Sequence, residues 1–163
     1  MCDDIYEEPH TFGGFIEKYS KTIKPKRILE FGPGASTRCL RELNPDAEII
    51  TIEHLKWYFE KHLPSLEKIN VKCLLLSRDN YASPPIKGKF DLIFIDGVME
   101  LRVMCAVFAK KHLSKNGIII LHDSQRPILK PIFDMFDVIE EDITFIKDAG
   151  WDVKTTVFKR KGT

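Results

Sequence analysis

The sequence predicts a doubly wound α/β domain with a mostly parallel seven-stranded sheet, and three observations carry that prediction. Five short apolar runs recur along the chain: R-I-L-E-F at 27–31, E-I-I-T-I at 48–52, V-K-C-L-L-L at 71–76, F-D-L-I-F-I at 90–95 and G-I-I-I-L at 117–121. Several are rich in Ile and nearly continuous, as expected of central strands covered on both faces. Segments with helical spacing lie between them, and strand alternating with helix implies right-handed β-α-β units. The tail changes character: D-I-T-F-I-K-D and W-D-V-K-T-T-V-F-K-R flank an Ala149-Gly150 turn signal, which reads as a C-terminal antiparallel hairpin. A chain of 163 residues leaves little room for a second core. A single domain over 1–163 is expected, with an N-terminal helix or lid segment at 1–22 and the core at 27–163.

Each element has its local reason. Phe12, Phe15, Ile16 and Tyr19 recur at helical spacing and predict a helix packed on the sheet before the first strand. A helix is expected over 36–43. A third is expected over 57–68, interrupted at Pro64. The stretch 77–80 reads as a loop after the third strand. Ser83-Pro84-Pro85-Ile86-Lys87-Gly88 reads as a connector into the fourth. Leu101, Met104, Cys105 and Phe108 then place a helix over 101–113.

Composition narrows the function. The 25 basic side chains nearly balance the 24 acidic ones, so no global field gathers nucleic acid or anionic lipid. Cys2, Cys39, Cys73 and Cys105 lack any C-x-x-C spacing. They are expected as buried free thiols in a reducing compartment. The N-terminus, M-C-D-D-I-Y-E-E, is acidic without an apolar leader core, and no apolar run approaches membrane-spanning length. A cytoplasmic location is the expectation.

The stretch with most chemistry in it is E-F-G-P-G-A-S-T at 30–37, a strand running into a glycine turn. In doubly wound sheets ligands bind at the carboxyl ends of strands, where such a turn lies. Gly32 and Gly34 let backbone approach a ligand, and Ser36 and Thr37 offer hydroxyls to the following helix. Thr37 stands where a dinucleotide fingerprint carries its third glycine, which counts against a pyrophosphate. Glu30, just before the turn, suits a cationic or zwitterionic ligand. Glu53, at the end of the second strand, can accept hydrogen bonds from both hydroxyls of a ribose. Asp96 ends the fourth strand, and His122-Asp123 end the fifth. Asp96 and Asp123 could share a hard cation such as magnesium, which would bind and acidify a hydroxyl; without a cation, His122 is the general base.

These motifs, with I-T-I-E-H, F-D-L-I-F-I-D-G and G-I-I-I-L-H-D, resemble those of the class I S-adenosylmethionine-dependent methyltransferases over roughly residues 10 to 160. The resemblance implies the Rossmann-like methyltransferase fold and S-adenosylmethionine (SAM) as cofactor. It implies that Glu30, Gly32 and Gly34 line the amino acid end, Glu53 the ribose, and the loop 77–80, through Asp79, the adenine, with His54 beside Glu53 against the adenosine and Ser36 and Asp96 as further cofactor-binding candidates. Asp96, His122 and Asp123 are the catalytic candidates. The paired acids resemble the metal-dependent O-methyltransferases, including the catechol type, which implies Mg2+ on Asp96 and Asp123 and a small-molecule hydroxyl as acceptor. This chain departs from that branch. Met99 falls near the expected lysine, and Ser124 falls where asparagine is usual; either Glu100 and Arg102 substitute or the metal is absent. The amino-methylating signature of Asp or Asn followed by Pro-Pro and an aromatic is missing. By analogy Tyr6, Glu7 and His10 belong to a lid over the cofactor. A cofactor-binding regulatory domain without catalysis and a nicotinamide-dependent oxidoreductase remain as alternatives.

Overall fold

A computed structural model describes residues 11–146 and 151–162. The elements run α1 (Thr11–Ile23), β1 (Arg27–Phe31), α2 (Ala35–Leu43), β2 (Glu48–Glu53), α3 (Lys56–Lys68), β3 (Lys72–Leu75), α4 (Arg78–Tyr81), β4 (Phe90–Ile95), α5 (Arg102–His112), β5 (Leu113–Leu121), α6 (Lys130–Met135), β6 (Phe136–Ile146) and β7 (Trp151–Arg160). All seven strands form one sheet in the order β3-β2-β1-β4-β5-β7-β6. The first five are parallel, and β7 lies antiparallel between β5 and β6. The doubly wound sheet with its terminal hairpin is therefore present. The chain steps outward from β1 to β3 and then returns to place β4 on the other side of β1. That reversal opens a crevice beyond the ends of β1 and β4.

Alternation along the strands builds two apolar layers. Ile28, Leu92, Phe94, Ile118, Ile120 and Val157 face Phe12, Phe15, Ile16 and Tyr19 of α1 with Leu40 of α2. Leu29, Phe31, Ile93, Ile95, Ile119 and Phe158 face Cys105 and Phe108 of α5 with Ile132 of α6. Neighbouring residues such as Leu92 and Ile93 thus serve opposite layers. Full burial of each such side chain contributes about 1.5–3 kcal/mol.

Several boundaries differ from the sequence expectation. Pro64 lies inside a continuous α3. The turn beyond it is tied down by buried Leu66, whose carbonyl accepts from Val71 N at 2.9 Å. The segment 77–80 is largely the one-turn helix α4. Strand β5 begins at Leu113, pairs with Phe90, and shifts register before resuming at Ile118 opposite Leu92. Strand β6 begins at Phe136 and carries a bulge between Val138 and Glu140. The Ala149-Gly150 turn and the lid residues Tyr6, Glu7 and His10 lie outside the described residues. Cys73 and Cys105 are free thiols, but Cys39 is disulfide-bonded, which corrects the expectation of a free thiol there. Among the described residues no helix is long and apolar enough to cross a membrane.

Candidate active site

The carboxyl ends of β1, β2, β4 and β5 converge on a cavity of about 580 Å3. Its wall begins with the turn after β1. Gly32 has φ +92°, and a β-carbon there would lie 2.8 Å from Gly97 Cα. Gly97 follows β4, and a β-carbon on it would drive into the Tyr81 hydroxyl. The two glycine loops therefore interlock, and neither position has room for a side chain. Gly34 is different. Its φ of −172° is ordinary extended backbone, and an added β-carbon would meet nothing within 4 Å.

Beneath this turn lies a buried hydrogen-bonded cluster. Gly34 N donates to Thr37 Oγ1 at 2.9 Å, Thr37 Oγ1 donates to Glu30 Oε2 at 2.6 Å, and Ser36 Oγ donates to Glu30 Oε1 at 2.6 Å. Glu30 is fully buried, and burial pushes its carboxyl up to about 7 despite the two hydroxyl donors, which favour the ionised form. The sequence pattern set Glu30 on the ligand; the structure sets it behind the turn, bracing the start of α2.

Glu53 closes β2 on the cavity wall and is 5% exposed. Its Oε1 accepts from His54 N at 2.6 Å and Leu55 N at 2.7 Å, and lies 3.0 Å from His54 Nδ1. No described residue hydrogen-bonds Oε2. Two main-chain donors on one oxygen fix the carboxylate while leaving acceptor capacity on the other.

The far wall is made by the ends of β4 and β5. Asp96 Oδ1 accepts from Arg102 Nη2 at 3.0 Å. His122 sits with Nδ1 3.0 Å from Thr155 Oγ1 and its ring edge-on to Phe12 at 4.8 Å. Burial lowers its pKa to about 4, against the nearby Asp123 charge, so the imidazole is neutral through physiological pH. Asp123 adopts a left-handed conformation (φ 55°) and accepts from Gln125 Nε2 at 3.2 Å. One donor atom from each of Asp96, His122 and Asp123 fits within 4.8 Å of the others.

The cavity thus gathers Gly32, Gly34, Ser36, Glu53, His54, Asp96 and His122. It leaves Glu30, Asp79 and Asp123 off its wall; Asp79 is exposed on α4, near the site in sequence but turned to solvent. Tyr81 escaped the pattern, and Arg102 was expected only as a stand-in for a lysine. Tyr81 is 1% exposed and lines the cavity, yet its hydroxyl has no hydrogen-bond partner among the described residues. Arg102 is 4% exposed and cross-links the loops after β4 and β5. A tyrosine one residue past the expected adenine loop and an arginine opening α5 were the available signals.

No family model matches the chain. Among curated proteins, a protein-L-isoaspartate O-methyltransferase from Bradyrhizobium sp. (strain BTAi1 / ATCC BAA-1182) is 28% identical over 100 residues, 61% of this chain and 46% of that protein. The chain spans about half the length of that relative. Solved structures align over nearly the whole chain. The SAH-bound Podospora anserina methyltransferase PaMTH1 has a TM-score of 0.69 at 22% identity, covering 97% of this chain and 81% of that one. The O-methyltransferase TomG from Streptomyces achromogenes, in complex with SAM, scores 0.71 at 19%, covering 93% and 80%. An O-methyltransferase from Bacillus cereus, in complex with SAH, scores 0.72 at 19%, covering 93% and 82%. Likeness at these identities is a likeness of fold, and with the strand order and terminal hairpin it gives the chain the fold of the class I SAM-dependent methyltransferases.

Proposed function

We propose that the chain is a SAM-dependent methyltransferase that carries a methyl group to a hydroxyl of a small molecule. The observation that carries the reading is Glu53, a buried carboxylate locked by two main-chain donors at the end of β2 and facing a cavity floored by bare glycine. The cavity also fits the cofactor in two ways of its own. The unpartnered Tyr81 hydroxyl offers a donor that a polar ligand atom would satisfy. The open ground beside Gly34 lets a ligand lie on backbone. When bound, SAM supplies an electrophilic methyl group, whose bond to sulfur breaks as its bond to the acceptor oxygen forms, with loss of the hydroxyl proton.

Glu53 and Tyr81 bind, Gly32 and Gly34 give access, and Asp96 with His122 and the adjoining Asp123 form the acceptor end. His122, neutral at working pH, can take up a proton there but cannot deliver one. Its low basicity supports a second acceptor class, a carboxylate, which needs no proton removed. The curated relative, named for protein L-isoaspartate, points the same way.

Titration calorimetry with S-adenosylhomocysteine (SAH) tests the cofactor, with NAD as control. Glu53→Ala should weaken SAH binding by about 1.5–3 kcal/mol, the worth of hydrogen bonds to a charged group. Unchanged affinity, or no binding by the unaltered protein, rejects the assignment. Methyl release over matched phenols, catechols, sugars and carboxylic acids then identifies the acceptor class.

A further inference from the structure

The resemblance to metal-dependent O-methyltransferases implies magnesium between Asp96 and Asp123, and the residues present do not fit it. The Arg102 guanidinium already sits against Asp96. Its Nη2 donates to Asp96 Oδ1 at 3.0 Å and to Asp96 O at 3.0 Å. Its Nε donates to Gly97 O at 3.0 Å, and its Nη1 to His122 O at 2.6 Å. With a side chain only 5% exposed, it is a full positive charge set where β4 and β5 end side by side. A divalent ion on Asp96 would sit close to that charge, and the two would repel. The other donors suit magnesium poorly. His122 offers a nitrogen, whereas magnesium takes oxygens in a near-ideal octahedron. Asp123 is engaged with Gln125 and lies 4.0 Å from Arg126.

We infer that Arg102 stands in place of a divalent cation at the acceptor end, holding Asp96 and the main chain of Gly97 and His122, and that the site works without a metal ion. Arg102 is a positioning residue, since it acts on the cavity wall through Asp96 and main-chain oxygens. A guanidinium suits the task because its planar fork binds one carboxylate and three carbonyls at once and its charge does not titrate. The inference also narrows the acceptor, in a step that rests on the methyl-transfer reading above. With no Lewis acid to acidify it, an acceptor must ionise by itself or yield its proton to a side chain. Acidic acceptors, meaning electron-poor phenols or carboxylic acids, are therefore favoured over simple alcohols.

Manganese(II) in place of magnesium makes the exclusion measurable without acceptor or cofactor. In an electron paramagnetic resonance titration of the unaltered protein, millimolar manganese should remain free. Arg102→Gln, which removes the charge and keeps donors, should acquire manganese binding and a melting temperature that rises with manganese, a gain that loss of packing alone would not produce. Saturable binding by the unaltered protein that disappears in Asp96→Asn overturns the inference. So does a folded Arg102→Gln that binds no more manganese than its parent. If that variant does not fold, the titration of the unaltered protein and Asp96→Asn decides alone. Turnover, where an acceptor is found, should be indifferent to chelator. Failure to bind SAH in calorimetry would remove the methyl-transfer reading and leave the manganese result standing.

Discussion

Gly32 and Gly34 sit two residues apart in one turn, yet different constraints act on each. At Gly32 the positive φ and the approach of Gly97 within 2.8 Å of a would-be β-carbon make glycine a requirement of the fold. At Gly34 the backbone is extended and the space beside it is open, so the fold alone would accept a larger residue. Gly34→Val should therefore fold with a loss of no more than about 1 kcal/mol, set by a poorer residue at the start of α2. Its side chain would project onto the cavity wall, and SAH affinity should fall at least about tenfold, or about 1.4 kcal/mol. Calorimetry beside a thermal melt checks both halves; normal SAH binding by a folded Gly34→Val would make the glycine incidental. At this scale the sequence showed strand-end residues well, because a parallel sheet delivers whatever ends its strands to one crevice. Glu53, Asp96 and His122 arrive that way. Tyr81 was not legible as a site residue, and Arg102 was legible only as a stand-in for the missing lysine, not as the cross-link between the two loops. Their roles depend on where the carbonyls of Gly97 and His122 and the Gly97 backbone meet in space, which no local pattern encodes.

Elements are legible where local preference and tertiary packing agree. Strand β4 spans the predicted 90–95, because its continuous apolar run is buried on both faces. Disagreement appears where packing overrides a local signal. Pro64 reads as a break since it removes one backbone hydrogen bond and crowds the preceding turn, but α3 continues to Lys68. Its last turn is held by buried Leu66 and by Asn70 N and Val71 N donating to Glu67 O and Leu66 O at 2.9 Å. Pro64 is exposed, so no core contact is lost on its removal. Pro64→Ala should stabilise the protein by roughly 1–3 kcal/mol, the helix-interior penalty of proline less the entropy it removes from the unfolded chain. Chemical denaturation with unchanged slope would register the gain as a higher midpoint. A lower midpoint would show that the proline shapes α3 for packing. Helix α6 and the early start of β6 were missed for another reason: six residues with a proline near the front carry too little periodicity to separate helix from loop.

For the molecule as a whole, the two apolar layers leave buried titratable groups at the site end of the sheet, and two of them oppose each other in pH. Glu30 is raised from its ordinary 4.5 to about 7, chiefly by burial, so folding favours its protonated form. Its contribution to stability is fully present below about pH 4.5 and is lost as pH rises toward 7. His122 is lowered from 6.5 to about 4, again chiefly by burial, so folding favours its neutral form. Its contribution is fully present above about pH 6.5 and is lost as pH falls toward 4. Each full swing is worth about 3 kcal/mol, and between pH 4.5 and 6.5 the two slopes have opposite signs and largely cancel. Removing one group should expose the other. Glu30→Gln, which keeps one acceptor oxygen for the Ser36 or the Thr37 hydroxyl and cannot ionise, should lose the decline between pH 4.5 and 7, so that relative to the unaltered protein its stability rises with pH by up to about 3 kcal/mol. His122→Gln should do the reverse, with relative stability rising as pH falls from 6.5 to 4. Denaturant midpoints across that range, taken as differences from the unaltered protein so that the remaining carboxylates drop out, give both curves. Parallel curves for all three proteins would mean that neither group titrates differently on folding. If only the His122 variant diverges, Glu30 is ionised in the folded protein, its two hydroxyl donors outweighing burial.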